Sequence, residues 1–221
     1  YNYQVAWEEG IQNYMVNSIL ITVVTVCFVI LLSCTFSFML ARFPFKGSGI
    51  LIGLFFAGMM IPVHCTLIPL YNMMNMAGLI DHLWALLFPY VASSLPIAVF
   101  LTYGHYQQLP KELEEAARID GCSVTGMFFR VFLPLSKPVI STISILTALS
   151  AWNEFMFANV FLSDPNQKTL PIGLLALKGT YSTDYAALCA ALTMSAVPII
   201  LVYVLMSNKI QSGMVAGAVK S

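Results

Sequence analysis

The chain has 221 residues, of which 59% are hydrophobic and only 9% are charged, and its formal net charge is zero. Soluble domains carry about 25% charged residues, so the composition excludes an ordinary soluble domain and predicts an integral membrane protein. A net charge of zero provides no attraction for nucleic acid, which is therefore not predicted as a partner. The three histidines lie far apart in the sequence, and no metal site is predicted.

Five apolar runs are long enough to cross a hydrocarbon core, which takes roughly 20 helical residues. They are continuous rather than alternating in polarity, which favours helices over a barrel. We predict an all-α integral membrane protein, a bundle of five transmembrane helices. The predicted spans are about 17–41, 48–70, 83–103, 139–162 and 185–207.

The distribution of lysine and arginine predicts the orientation of these spans. The turn after the first span, the stretch 109–138 and the C-terminal tail carry eight of these residues, whereas the segments on the alternate side carry two. Because cytoplasmic loops are the ones rich in lysine and arginine, we expect 109–138 and the C-terminus to lie in the cytoplasm.

Residues 109–138 hold eight of the twenty charged residues, and such a polar stretch must lie outside the lipid. Helix formers dominate 111–120, and Gly121 follows at a position suited to a left-handed helix cap. Ser123 can cap a second helix, which Pro134 should end. The pattern predicts a helix–turn–helix elbow that stands off the membrane.

Two interactions are predicted for the first helix of this elbow. Glu114 and Arg118 have the i, i+4 spacing of an ion pair. Leu113, Ala116 and Ala117 follow helical spacing, and we predict that they form one small apolar face that a partner can approach closely. From these residues alone, a partner-binding elbow and a merely solvated loop stay equally open.

A specific sequence pattern runs through the elbow, with fixed positions at Glu115-Ala116-Ala117, Gly121 and Val131-x-Leu133-Pro134. This pattern resembles the EAA loop of binding-protein-dependent ABC importer permeases. The longer texts KELEEAARIDG, LPLSKP and GMVAGAVK are similar to the maltose-type branch, which takes up carbohydrates. The resemblance covers nearly the whole chain. Such permeases usually have six spans, so the chain resembles that fold lacking its first helix.

The resemblance implies that the elbow is a coupling helix that fits a groove in an ATP-binding subunit. The implied coupling residues are Glu115, Ala116, Ala117, Gly121, Leu133 and Pro134. The glutamate would pair with a basic residue of the ATPase, the two alanines would pack in its groove, and the glycine would form the turn.

Glu154 is an ionisable residue within the fourth predicted span. A charge at mid-bilayer costs about 2.5–3.5 kcal/mol, so such residues usually serve a function. Thr147, Ser150, Ala151 and Glu154 share a predicted helix face, with Asn153 adjacent. We predict that Ser150, Asn153 and Glu154 line the translocation path or its outer gate. A hydrogen bond to a helix of the partner permease, or exposure at the outer surface, stays open as the alternative.

The loop from Ser163 to Asp184 is long for this chain and is predicted to face outside. In maltose-type permeases the corresponding loop reaches into the docked solute-binding protein. The resemblance therefore implies binding-protein contacts at the far end of the loop, by Lys178, Gly179, Thr180 and Tyr181. An ordinary connecting loop stays open as the alternative.

The implied function is that of a permease subunit of an ATP-driven importer in the bacterial inner membrane. It would translocate a sugar or oligosaccharide delivered by an extracytoplasmic binding protein. The implied partners are a homologous second permease, two ATP-binding subunits, the binding protein and membrane lipid.

This chain is not predicted to be an enzyme. It contains no Gly-Lys dipeptide and so lacks the G-x-x-x-x-G-K-[ST] phosphate cradle. We predict no catalytic residue and no cofactor bound by this chain, while ATP and Mg would be held by the partner subunits. The nearest alternative is the same importer for a polyol or glycerol phosphate. An ATP-independent secondary transporter or channel is the alternative from another class, and in it the elbow would have no evident purpose.

Overall fold

The computed structural model describes residues 1–176 and 185–218, and within these ranges it contains helices and no strands. Three of the described helices are long and apolar enough to cross a membrane, namely Asn2–Arg42, Leu83–Gln108 and Tyr185–Val202. Two further helix pairs are each bent at a break, namely Ser48–Gly58 with Val63–Met76 and Val124–Leu135 with Lys137–Asn153. They raise the number of spans to as many as five if each pair counts as one. The predicted all-α membrane fold is confirmed.

The α-helices are, in chain order, α1 (Asn2–Ala6), α2 (Gln12–Arg42), α3 (Ser48–Gly58), α4 (Leu67–Met76), α5 (Leu87–Gln108), α6 (Glu112–Ile119), α7 (Val124–Met127), α8 (Leu133–Leu135), α9 (Lys137–Asn153), α10 (Met156–Phe161), α11 (Leu170–Ala176) and α12 (Tyr185–Ala218). A π-helical turn at Trp7–Ile11 joins α1 to α2, and another at Phe128–Phe132 joins α7 to α8. Turns of 3₁₀-helix at Val63–Thr66 and Leu83–Leu86 lead into α4 and α5.

Two of the predicted spans are broken helices. Span 48–70 is interrupted between α3 and α4, where Pro62 is extended and has no N–H to continue the helix. Span 139–162 is interrupted at Glu154 and Phe155, between α9 and α10. Both breaks leave backbone groups without helical partners, so each needs other hydrogen-bonding groups nearby.

The chain forms two compact units, and each has its own buried core. The first unit comprises 1–26, 62–92 and 147–205, and the second comprises 27–61, 93–146 and the described residues after 205. Buried side chains in the first unit include Leu86, Tyr90, Phe157 and Phe161. The core of the second unit contains Phe38, Tyr106, Phe128 and Phe132.

Gly173 illustrates how closely the helices of the first unit pack. It lies in α11 against the ring of Tyr14, a buried residue of α2. A Cβ added at Gly173 would lie 2.1 Å from Cδ2 of Tyr14, far inside van der Waals contact. Only glycine therefore allows α11 to approach α2 this closely.

We expect Gly173→Ala to destabilise the chain by about 1–3 kcal/mol, because the added methyl group overpacks this contact. The midpoint of thermal unfolding in detergent measures the effect. Gly53→Ala is the control, since a Cβ there meets nothing within 4 Å, and alanine in a helix is favoured over glycine by about 0.5–1 kcal/mol. Equal midpoints for the two variants would contradict the close approach.

Candidate functional site

The predicted elbow is present in the second unit. Its first helix, α6, ends before Gly121, which has the left-handed φ of +73° that glycine adopts at no steric cost. The hydroxyl of Ser123 accepts the N–H of Gly126 at 3.1 Å and caps the second helix. Glu114 and Arg118 form the expected ion pair at 2.6 Å. The turn, the cap and the ion pair are thus confirmed.

Pro134 does not end the second helix, and that prediction was wrong. The chain stays helical through Leu135, and the break falls at Ser136, where the path bends by 74° into α9. A π-helical turn precedes Pro134, which then lies in the first turn of α8. The missing N–H of proline is tolerated at that position.

The predicted apolar face of α6 is divided between two sides of the helix. Ala117 is 5% exposed and belongs to the buried cluster of the second unit, and Leu113 is half-buried. Ala116 is exposed instead. The prediction of one shared face for the three residues was wrong, because packing within the chain takes up Ala117, which is therefore not available to a partner.

The outward side of α6 forms a continuous stripe at helical spacing i, i+3, i+4 and i+7. Its members are Glu112, Glu115, Ala116 and Ile119, all of them exposed. Ile119 is 85% exposed and was missed from the sequence, although its position four residues after Glu115 places it on this face. We call these four residues the outward stripe.

The remaining predicted coupling residues lie at the bends of the elbow. Gly121 and Pro134 are exposed, whereas Leu133 is half-buried. Leu133 is packed against the same core cluster that holds Ala117. The elbow therefore has an inner side that fixes it to the second unit and an outer side that is free to contact a partner.

Glu154 lies in the break between α9 and α10, within the first unit. Its carboxylate accepts the N–H of Phe157 at 2.8 Å and that of Ala158 at 3.2 Å, which caps the start of α10. The hydroxyl of Tyr90, in α5, donates to the same carboxylate at 2.8 Å. Three donors thus bond to this carboxylate, and its bond between helices is formed within this chain rather than with a partner permease.

The other predicted path residues are more exposed than Glu154. Asn153 is exposed, and its side-chain amide donates to the carbonyl of Leu149, one turn back, at 2.8 Å. Ser150 is also exposed, while Thr147 is buried. The predicted common face of α9 is therefore divided like that of α6.

Polar side chains fix the segment that begins the predicted binding-protein loop. The Asn17 amide donates to the carbonyls of Asn166 and Lys168, both at 2.9 Å. The hydroxyl of Ser18 accepts the N–H of Leu170 at 2.8 Å. The loop residues predicted to touch the binding protein are Lys178, Gly179, Thr180 and Tyr181, and they lie outside the described residues.

Asp81 makes a further connection to this segment and was not predicted. It adopts a left-handed φ of +63°, and its N–H donates to the carbonyl of Phe161 at 2.9 Å. Its carboxylate accepts the N–H groups of Ser163 and Asp164. These backbone donors, Ser163 first, hold the pKa of Asp81 below its ordinary value.

An apolar cleft of about 130 Å³ lies within the first unit. It is lined by Ile19, Thr22, Val23, Ala148, Leu149, Trp152, Pro198, Ile199 and Val202. Thr22 is the one hydroxyl-bearing residue among these nine. Recognition of a polar ligand needs several convergent hydrogen-bonding groups, so this cleft does not have the chemistry of a sugar site.

Comparison with known proteins places these features in a family context. Residues 33–212 match the family described as binding-protein-dependent transport system inner membrane component. The chain is 41% identical over 219 residues to the probable ABC transporter permease protein YurM of Bacillus subtilis, covering 99% of this chain and 73% of the relative. It is 33% identical over 209 residues to the trehalose/maltose transport system permease protein MalG of Thermococcus litoralis, covering 94% of this chain and 75% of the relative.

A solved structure has a similar fold. It is the crystal structure of a bacterial ABC transporter involved in the import of the acidic polysaccharide alginate. The TM-score is 0.83 at 22% sequence identity, and the match covers 94% of this chain and 78% of that chain.

We expect Glu154→Gln to lower the stability of the chain by about 1–2 kcal/mol, as loss of a helix cap does. The two oxygens of the carboxylate accept the N–H groups of Phe157 and Ala158, whereas an amide has a single carbonyl oxygen. At least one of these N–H groups therefore loses its partner in the variant. The thermal unfolding midpoint measures the loss, and Asn153→Gln is the neighbouring control. A variant at Glu154 as stable as this control would show that the carboxylate is not a cap.

Replacement of Asp81 should change the pH dependence of stability. Since the folded pKa is lowered, the carboxylate stabilises the fold above its usual pKa of about 3.9, and this contribution is lost as the pH falls through the folded pKa. Asp81→Asn tolerates the positive φ but does not titrate. The unfolding midpoint of the original chain should exceed that of the variant at pH 7, and the difference should shrink from about pH 5 towards pH 3. A difference that does not vary with pH would contradict these hydrogen bonds.

Proposed function

Because the chain belongs to the family of binding-protein-dependent transport system inner membrane components, we propose that it is the permease subunit of an ATP-driven importer for a sugar or oligosaccharide. The family resemblance drawn from the EAA pattern is thereby confirmed. The observation that carries the proposed mechanism is the elbow, which is anchored to the second unit on one side and exposes the outward stripe on the other.

The outward stripe is suited to a groove in an ATP-binding subunit. Glu115 offers a charge for a basic residue, and Ala116 lets the partner surface approach the helix backbone. Ile119 adds an apolar side chain that loses its exposure to water on docking, which favours binding. Two ATP-binding subunits would hold ATP and Mg, and hydrolysis would take place there.

The chain works with further partners in this proposal. A homologous second permease would complete the path, and an extracytoplasmic binding protein would deliver the solute. The anchored segment before α11 supports a contact between the following loop and the binding protein, because it fixes where that loop begins. The elbow and the C-terminus would face the cytoplasm, because both segments are rich in lysine and arginine and cytoplasmic loops carry an excess of these residues.

The class of solute rests on the relatives rather than on a site in this chain. One relative is named for trehalose and maltose transport. The apolar cleft of the first unit is not suited to a sugar, so the hydroxyl-binding groups would come from the second permease or from residues at the surface of this chain. Ser150 and Asn153 are exposed and stay candidates for the path, whereas the bonds of Glu154 support a structural role.

We expect Glu115→Lys to abolish coupled uptake, because it reverses the charge in the middle of the outward stripe. The assay combines copurification of the ATP-binding subunits with solute uptake into proteoliposomes. Glu8→Lys makes the same change of charge at an exposed residue of the N-terminal segment and should leave both unaffected. Full coupled uptake by the Glu115 variant would refute the coupling role of the elbow.

The proposed solute class has its own test. Purified complex and binding protein are mixed with a panel of sugars, oligosaccharides, polyols, glycerol phosphate and amino acids, and ATP hydrolysis is measured. We expect stimulation by a sugar or oligosaccharide. Stimulation by glycerol phosphate or an amino acid alone would leave the importer mechanism intact and overturn the sugar assignment.

A further inference from the structure

Arg42, the last residue of α2, is bonded to the segment that leads into the elbow. Its Nη2 atom donates to the carbonyl oxygen of Tyr106 at 2.5 Å and to that of Leu109 at 2.6 Å. Tyr106 is in the last turn of α5, and Leu109 lies between α5 and α6. The final carbonyls of a helix have no partner within the helix, and a cation is a favourable one.

The same side chain also contacts the second helix of the elbow. The guanidinium carbon of Arg42 lies 5.0 Å from the centre of the Phe132 ring, within the range of a cation–π interaction. A reciprocal contact comes from the elbow, because the guanidinium of Arg118 lies 5.6 Å from the ring of Phe43. The adjacent residues Arg42 and Phe43 thus make one cation–π contact with each helix of the elbow. Arg42 contributes the cation in one contact, and Phe43 contributes the ring in the other.

An aromatic cluster packs beside these contacts of Arg42 with the elbow. The ring of Phe38, one turn before Arg42, lies between 5.0 and 6.1 Å from the rings of Phe43, Phe128, Phe132 and Tyr106. Phe38 and Phe132 are buried. Closely packed interiors transmit displacement rather than absorb it.

We propose that Arg42 is a positioning residue for energy coupling, which ties the elbow to the ends of both α2 and α5. Displacement of the elbow is then passed to both long helices together. This inference rests on the proposed function, in which an ATP-binding subunit moves the elbow. It assigns a role to a residue outside the EAA pattern.

The chemistry of the contact favours arginine over lysine at this position. One guanidinium donates to two carbonyls while its carbon lies over an aromatic ring. The ammonium group of lysine is a point charge without a planar face, so Arg42→Lys keeps the charge and loses part of the arrangement. Arg42→Met removes both kinds of contact but keeps an unbranched apolar stem.

Two measurements on the full complex in proteoliposomes test the proposal. Hydrogen exchange of the α6 and α7 amides reports whether the elbow is held, and solute transported per ATP hydrolysed reports whether its motion is used. Arg42→Met should exchange at least about tenfold faster in the elbow, as expected when charge-assisted hydrogen bonds are lost. Its transport per ATP should fall several-fold while hydrolysis persists. For Arg42→Lys, both the exchange rate of the elbow and the transport per ATP should lie between those of Arg42→Met and those of the original chain.

Lys46→Met is the matched control, because it removes a positive charge from an exposed residue of the same turn and should behave as the original chain. Unchanged elbow exchange, or unchanged transport per ATP, in Arg42→Met would overturn the proposal. If Arg42→Met does not assemble, an unchanged transport per ATP in Arg42→Lys would overturn the proposal instead. A complex of the original chain without ATP-coupled transport would refute the proposed function, and the exchange data would still decide whether Arg42 holds the elbow.

Discussion

Hydrocarbon cannot hydrogen-bond to a backbone, and this constraint governs where the polar residues of the chain lie. Each break in a membrane helix leaves N–H or C=O groups that the lipid cannot satisfy. At three helix ends in the described chain, an ionisable side chain supplies the partner. Arg42 donates to carbonyls at the end of α5, and Glu154 accepts N–H groups at the start of α10. Asp81 accepts the N–H groups of Ser163 and Asp164, which lie just after α10.

The same constraint explains why some of the few charged residues of this chain serve as hydrogen-bonding partners at helix ends. The broken helices allow bends in a bundle, and the capping side chains keep those bends in one conformation. Glu154 therefore has a structural role in the break between α9 and α10. Its bonds to α10 and to Tyr90 offset the cost of placing a carboxylate there.

The elbow combines a fixed side and a free side within one short helix. Ala117 joins an aromatic core, while Ala116 beside it is exposed. The proposed coupling role needs both properties, since the outer side would bind a partner and the inner side would pass the resulting motion on. Besides the apolar packing of Ala117, two cation–π contacts attach the elbow to the end of α2. They join Arg42 to the ring of Phe132 and Arg118 to the ring of Phe43.

The sequence by itself determined the all-helical membrane fold, the elbow with its glycine turn, and the family, because apolar run length, turn chemistry and fixed motif spacing are local properties. It did not determine which residues of a helix face turn inward. Neighbours such as Ala116 and Ala117 differ by only about 100° around the helix, so the packing partner decides between them. Only the tertiary structure paired Asp81 with Ser163, Tyr90 with Glu154 and Arg42 with Phe132, because residues more than sixty positions apart meet through chain topology.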